Sequence, residues 1–443
     1  MTLRRMMLAF LLVSCMNAVP LAQAAEPRSQ LDSPRGDSRF HPYISLKEEY
    51  NDNLNLTATN KLDDFITTVT PGIKYSNMDK QAGADLNYNL GAVFYGKNSD
   101  LNYISHNASL NAKYLTSAHI NFYLKESFIR SDNPLERQYF TTAEENKYML
   151  GTQTERAIYW RNVVAPTVEY QFGLDNRLGV NYRNNIYRTE SAAVQDSRED
   201  FINPYLSYWF DQRNGISLQY GLTYGTFETE PDLTSHMANA RYIYRLSPKT
   251  SAFMEYTYSK WSFDSSDSSV SSDSQFITNY DIHTPAVGVA FVVSPTLTAS
   301  AQVGYFWAKP NTGSAKDGVS YQADLANTDP RTTYILSLQG GYTQDFFTSD
   351  NLGFARYHRL TGSLNHKLDR RLSIGCLGSL ERAEFDVDDR SDTIWGIGGT
   401  ASYMPLKWLT FALEVTHRER QSNIDLFDYT ENRAVLTITA TYE

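Results

Sequence analysis

From Pro42 onward, segments of about ten residues alternate apolar with polar side chains, and polar turns separate them. Between Ala84 and Phe94, Leu86, Tyr88, Leu90, Ala92 and Phe94 fall on one face, and Asp85, Asn87, Asn89, Gly91 and Val93 on the other. The next segment sets Ile104, Ala108, Leu110, Ala112 and Tyr114 against Ser105, Asn107, Ser109, Asn111 and Lys113. Side chains of a strand point to opposite faces with period two, so each segment has one apolar and one polar side. A soluble sandwich also alternates. Here the pattern runs on to Leu436, Ile438, Ala440 and Tyr442 with no helical segment to cover the apolar faces, so lipid is the expected apolar phase.

The fold expected is therefore all-β: a single transmembrane antiparallel outer-membrane β-barrel of about 18–20 strands, apolar outside and polar inside. Strands are expected near 42–50, 63–76, 83–96, 101–115 and 118–130, and so on to 432–443. Short connections such as 116–119, 174–176 and 212–214 alternate with longer ones such as 131–157, 190–199 and 262–280. In this class short turns are periplasmic and long loops extracellular, which places both chain ends in the periplasm. The loop at 131–157 is the expected constriction, from its length.

Composition adjusts this picture in three places. Mean hydropathy is negative and charged residues make up only 20%, as expected when each strand shows lipid every second residue. Past the N-terminus no apolar run reaches the roughly 18 to 20 residues a membrane helix needs. The 31 tyrosines and 6 tryptophans suit interfacial belts; Tyr205, Tyr208, Trp209 and Trp408 are candidates.

Residues 1–24 read as a secretory leader, with Arg4 and Arg5, the apolar stretch from Leu8 to Val13, and Ala22-Gln23-Ala24 as cleavage site. Leu12-Val13-Ser14-Cys15 loosely resembles a lipoprotein box and competes with it. Residues 25–41 are an expected periplasmic linker, and 42–443 the barrel. Formal net charge is -10, and loss of the leader removes two further positive charges. It also leaves Cys376 as the one cysteine, on an alternating strand beside Ile374 and Gly378, so no intrachain disulfide is expected.

Motifs of chemistry are sparse. Gly396-Ile397-Gly398-Gly399-Thr400-Ala401 spells a dinucleotide-binding glycine motif but lies inside a strand, with no helix N-terminus to receive a pyrophosphate. The 8 histidines are scattered; His358 and His366 share a face of one strand but stand too far apart for one metal. No catalytic, cofactor or metal residue is nominated, and no enzyme activity or nucleic-acid partner is expected. The acidic clusters Asp264 to Asp267, Asp386 to Asp389 and Glu228 to Glu230 could hold divalent cations among lipopolysaccharide phosphates, but solvated loops are the plainer reading.

The expected lumen is the informative surface. Alternation points Lys113, Glu169, Arg183, Arg241, Glu255, Arg359, Lys367, Glu381 and Glu414 inward, among amides such as Asn87, Asn107 and Asn181. Both charge signs with amides suit a polar, hydrogen-bonding solute better than a one-signed ion filter. The same residues could equally rigidify and fill the barrel. Glu126 is a misfit, on the face of Ile120, Phe122 and Leu124; the expectation is an outer-rim position or a slip of register.

Glu49-Tyr50-Asn51-Asp52-Asn53-Leu54 and the run from Asp63 to Gly72 resemble the opening of the putative beta-barrel porin 2 family, as do the turns Ser247-Pro248-Lys249-Thr250, Asp329-Pro330-Arg331-Thr332 and Leu368-Asp369-Arg370-Arg371-Leu372. The resemblance implies an outer-membrane barrel associated with exopolysaccharide export, hence a passage for surface polysaccharide. Expected partners are outer-membrane lipid and lipopolysaccharide, the polysaccharide, periplasmic export components and the barrel-assembly machinery, although Glu443 follows Tyr442 where barrels commonly end on an aromatic residue. A general diffusion porin for small polar solutes and a structural or adhesive surface barrel are the rival readings. A TonB-dependent receptor is disfavoured, because no globular plug is seen before the first strand.

Overall fold

The alternating segments become 20 antiparallel strands joined edge to edge in one closed sheet, as seen in a computed structural model of the chain. The structure describes residues 39–116, 119–133, 156–191, 195–228, 230–264, 279–311, 313–344, 354–386 and 389–442. The expected leader, most of the expected linker and most of the 131–157 loop lie outside these residues. So do parts of the three acidic clusters: Ser265 to Asp267, Val387 with Asp388, and Thr229.

The barrel opens with β1 (Arg39–Asn51), β2 (Asp64–Met78), β3 (Ala82–Tyr95), β4 (Tyr103–Leu115) and β5 (Ile120–Ser131). It continues through β6 (Tyr159–Gln171), β7 (Arg177–Thr189), β8 (Ser197–Trp209), β9 (Asn214–Phe227), β10 (Leu233–Ser247), β11 (Thr250–Phe263) and β12 (Tyr280–Val292). The remaining strands are β13 (Leu297–Pro310), β14 (Lys316–Thr328), β15 (Thr332–Gln344), β16 (Phe354–Lys367), β17 (Leu372–Phe385), β18 (Ser391–Leu406), β19 (Leu409–Ser422) and β20 (Tyr429–Thr441). Each strand pairs with its neighbours in sequence, and β1 pairs with β20 from Tyr43↔Thr441 to Asn51↔Arg433, so no edge is left open. Short turns gather at one end of the barrel with the start of β1 and the end of β20, and long loops at the other, as the sequence implied.

The outward face is the apolar one. Phe94, Tyr114, Val168, Leu178, Met254, Val287, Val303, Leu336, Ile397 and Leu436 are all exposed on it. Cys376 is exposed there too. Glu126 is also outward, but it is neither at the rim nor out of register. It stands mid-strand in β5, between Leu110 of β4 and Val164 of β6.

Histidines share this outer face. Tyr88 with His106, Tyr220 with His236, Tyr256 with His283 and Tyr321 with His358 each bring a hydroxyl within 2.7–3.1 Å of a histidine Nδ1 on a nearby strand. These pairs give each mid-strand tyrosine hydroxyl a polar partner on the outward face.

Inward aromatic rings obey a second rule. Tyr43 of β1 stands directly opposite Gly72 of β2, Tyr205 of β8 opposite Gly179 of β7, and Phe253 of β11 opposite Gly288 of β12. In each case a Cβ on the glycine would clash with the ring. The glycines let the rings lie flat against the wall instead of standing into the lumen.

Candidate functional site: the lumen

Two zones of different chemistry line the barrel interior. Toward the long loops, charges occur as close pairs packed on aromatic rings. Arg359 of β16 donates from Nε to Glu381 of β17 at 2.5 Å, with side-chain exposures of 9% and 1%, and its guanidinium lies 5.1 Å from the Tyr357 ring centroid. Arg183 of β7 pairs with Glu199 of β8 over Phe201. Arg390 pairs with the fully buried Asp392 of β18 and lies 3.8 Å from the Phe427 centroid. Across the β1–β20 seam, Glu49 accepts from Arg433 at 2.9 Å and from Lys47 at 3.0 Å, while Arg433 also reaches Glu414 at 3.6 Å.

Arg359 and Glu381 are directly opposed on neighbouring strands, Arg183–Glu199 and Arg433–Glu49 are diagonal neighbours, and Arg390–Asp392 stand two residues apart, all within reach on one face of the sheet. The flat ring beneath the Arg183, Arg359 and Arg390 guanidiniums adds a cation–π contact and keeps the fork in place. One member arrives from a loop. Arg156 donates to the Leu54 carbonyl at 3.0 Å, the Tyr95 hydroxyl at 2.9 Å and Asp132 at 3.2 Å, tying the first long loop to β3 and to the end of β5.

Toward the short turns several polar side chains are exposed to the lumen. Asn107 and Asn111 of β4, Lys125 of β5, and Lys74 of β2 are exposed to it. Lys113 of β4 stands opposite Tyr123, and Lys125 opposite Asn111. Among the described residues no carboxylate pairs with either lysine. Lys74 lies 5.3 Å from the Tyr43 ring centroid. Glu169 of β6 takes bonds from Tyr205 at 2.8 Å and Asn121 at 3.4 Å, with Arg177 at 3.6 Å. Arg241 pairs with Glu255 partway up the wall, over Phe253.

The residues nominated from sequence thus divide. The structure brings together Arg241 with Glu255 and Arg359 with Glu381. It places Arg183, Glu169 and Glu414 with partners that were not nominated. Lys113 and Lys367 stand near the short-turn ends of β4 and β16. Arg161, Arg420 and Arg433 were missed, although alternation carried back from Glu169 or Val435, or forward from Glu414, reaches each of them. Lys125 follows the same rule, as the polar neighbour of Leu124. Arg156 has no such signal, since it projects from a loop. Among the described residues no group of three or more His, Cys, Asp or Glu is arranged to hold a metal ion.

No curated protein matches the chain in sequence. Among solved structures, the siderophore receptor PirA from Pseudomonas aeruginosa is similar with a TM-score of 0.50 and 10% identity, over 93% of this chain and 81% of that one. The outer membrane protein OpdK from the same organism gives 0.43 and 11% over 92% and 99%, and its OprD gives 0.38 and 9% over 93% and 97%. At such identity the likeness to PirA speaks to the barrel fold alone. The sequence model of the putative beta-barrel porin 2 family matches residues 223–442, from β9 to the closing strand β20. The molecule is an outer-membrane β-barrel of porin type, and its residues 223–442 belong to the putative beta-barrel porin 2 family.

Proposed function

We propose that the barrel is a passive channel for hydrophilic solutes, with its short turns in the periplasm and its long loops outside the cell. The observation that carries this reading is the lumen wall of β3–β7, where Asn107, Asn111, Lys125 and their neighbours offer exposed hydrogen-bonding groups to a passing solute. Weak and numerous contacts of this kind wet a solute without trapping it. Outer-membrane lipid and lipopolysaccharide surround the apolar wall, and the barrel-assembly machinery inserts it.

A polysaccharide chain as passenger, handed over by periplasmic export components, is the narrower reading that the family resemblance implies. Lumen amides able to exchange bonds with sugar hydroxyls favour it, and they serve a small polar solute equally well. Planar-bilayer conductance of the purified chain tests the channel. Ion-level conductance without any partner is expected, and a silent barrel overturns the proposal. Deleting the gene and quantifying polysaccharide in the medium, on the surface and in the periplasm separates the passengers: unchanged amounts assign small solutes, and loss outside with build-up inside assigns the polymer.

A further inference from the structure

We infer that the short-turn half of the lumen is a selectivity region for anionic solutes, built by Lys74, Lys113 and Lys125 on the contiguous wall of β2–β5. This rests on the channel reading above. Register places the three lysines together. Lys74 is opposite Asn87 of β3, Lys113 is opposite Gly83 of β3 and Tyr123 of β5, and Lys125 is opposite Asn111 of β4. All three point into the barrel, and Lys74 and Lys125 are exposed to it.

The carboxylate set among them is Asp85 of β3, which the Ser76 hydroxyl bonds. Further along the wall Glu169 is engaged by Tyr205, Asn121 and Arg177. The local balance is therefore positive, in a chain whose formal net charge is -10. The two ends of the channel then differ in sign. Long loops contribute Asp63, Asp100, Glu190, Asp232, Asp264, Asp425 and Asp428, whereas the interior near the short turns sets the three lysines on β2–β5 and Asp324, hydrogen-bonded by Ser300, Gln322 and Ser337, on β14.

Why lysine here and arginine above follows from chemistry. Arginine's planar fork locks onto a carboxylate and a ring, so it is spent on wall structure. An ammonium on a flexible stem is a mobile point charge that can follow a passing anion and release it. A stretch of lumen wall with net positive charge concentrates anions beside it, and the effect grows as salt is lowered and the Debye length lengthens past about 10 Å.

The test is the reversal potential of the full chain in planar bilayers across a potassium chloride gradient. The expected result is preference for chloride, on the order of threefold, increasing at low salt. The combined Lys74→Gln, Lys113→Gln, Lys125→Gln variant should lose it, and the corresponding Lys→Arg variant should keep it, which separates charge from folding. A cation-selective or unselective wild-type channel overturns the inference alone, as does a glutamine variant with unaltered reversal potential. A protein with no conductance overturns the channel reading and the inference with it.

Discussion

The lumen holds the same kinds of charge in both halves but uses them differently. Near the long loops, Arg359 with Glu381 and Arg390 with Asp392 are shut away from water and pressed on rings. Near the short turns, Lys125 is exposed to the lumen and Lys113 is half-buried beside Tyr123. The comparison teaches that an inward charge is not by itself a transport residue: where it has a buried partner it belongs to the wall, and where it lacks one it faces the solute.

The strongest way to break that comparison is to split a buried pair. Glu381→Leu leaves Arg359 without its carboxylate in a nearly dry site, and removing one partner of such a pair costs about 3–5 kcal/mol. A large fall in the urea midpoint of the folded barrel is expected. The combined Arg359→Leu, Glu381→Leu variant should recover much of it, because no charge is left stranded. A single variant as stable as wild type would show that the loop-side charges do not hold the wall.

Next in size is Gly72→Val. Its side chain would occupy the place of the Tyr43 ring, and overpacking of this kind costs typically about 1–3 kcal/mol. The displaced ring would also stand into the lumen beside Lys74, so single-channel conductance should fall along with stability. Unchanged conductance would mean that the ring has somewhere else to lie.

By contrast, Lys113→Gln with Lys125→Gln should leave stability within about 0.5 kcal/mol, because neither change breaks a buried pair or opens a cavity. A large loss of stability would erase the distinction between the two halves.

The smallest effect belongs to the turns. Asp369, between β16 and β17, accepts the backbone N–H groups of Arg371 and Leu372, which hold its carboxyl below the ordinary aspartate range. Because the folded group is the more acidic, its stabilisation is present above the ordinary aspartate value and is lost as pH falls through the lowered one. Amide exchange at Arg371 and Leu372 should quicken over that acid range, and Asp369→Asn should remove the dependence.

Most of the fold was legible in the sequence because a barrel strand answers to a single local rule. Leu86 and Asn87 differ in polarity because lipid and water lie on opposite sides of the same strand, and the rule repeats through Leu436 and Thr437. The rule also gave both members of the pairs Arg241–Glu255 and Arg359–Glu381, without giving the pairing itself. Opposition depends on register, which is set between strands rather than along one. Register likewise hid the aromatic–glycine pairs: Gly179 looks like an unremarkable polar-face residue until Tyr205 is found across from it. Arg156 was out of reach for a different reason, since its three partners come from separate segments that only loop geometry brings together. Glu126 obeyed the alternation where a rim position or a slipped register was expected.

The seam between β1 and β20 has a bearing on the order of events in biogenesis. Arg433 and Glu49 are separated by nearly the whole chain, and so are the backbone partners around them. None of these bonds can form until the final strand has left the ribosome and crossed the inner membrane. Before then, any sheet formed by the earlier strands carries two raw edges able to pair with other chains. Closure is consequently the last step of maturation, dominated by contacts distant in sequence and slow for that reason. A chain cut short before Tyr429 would remain a perpetual intermediate, open to aggregation and to proteases.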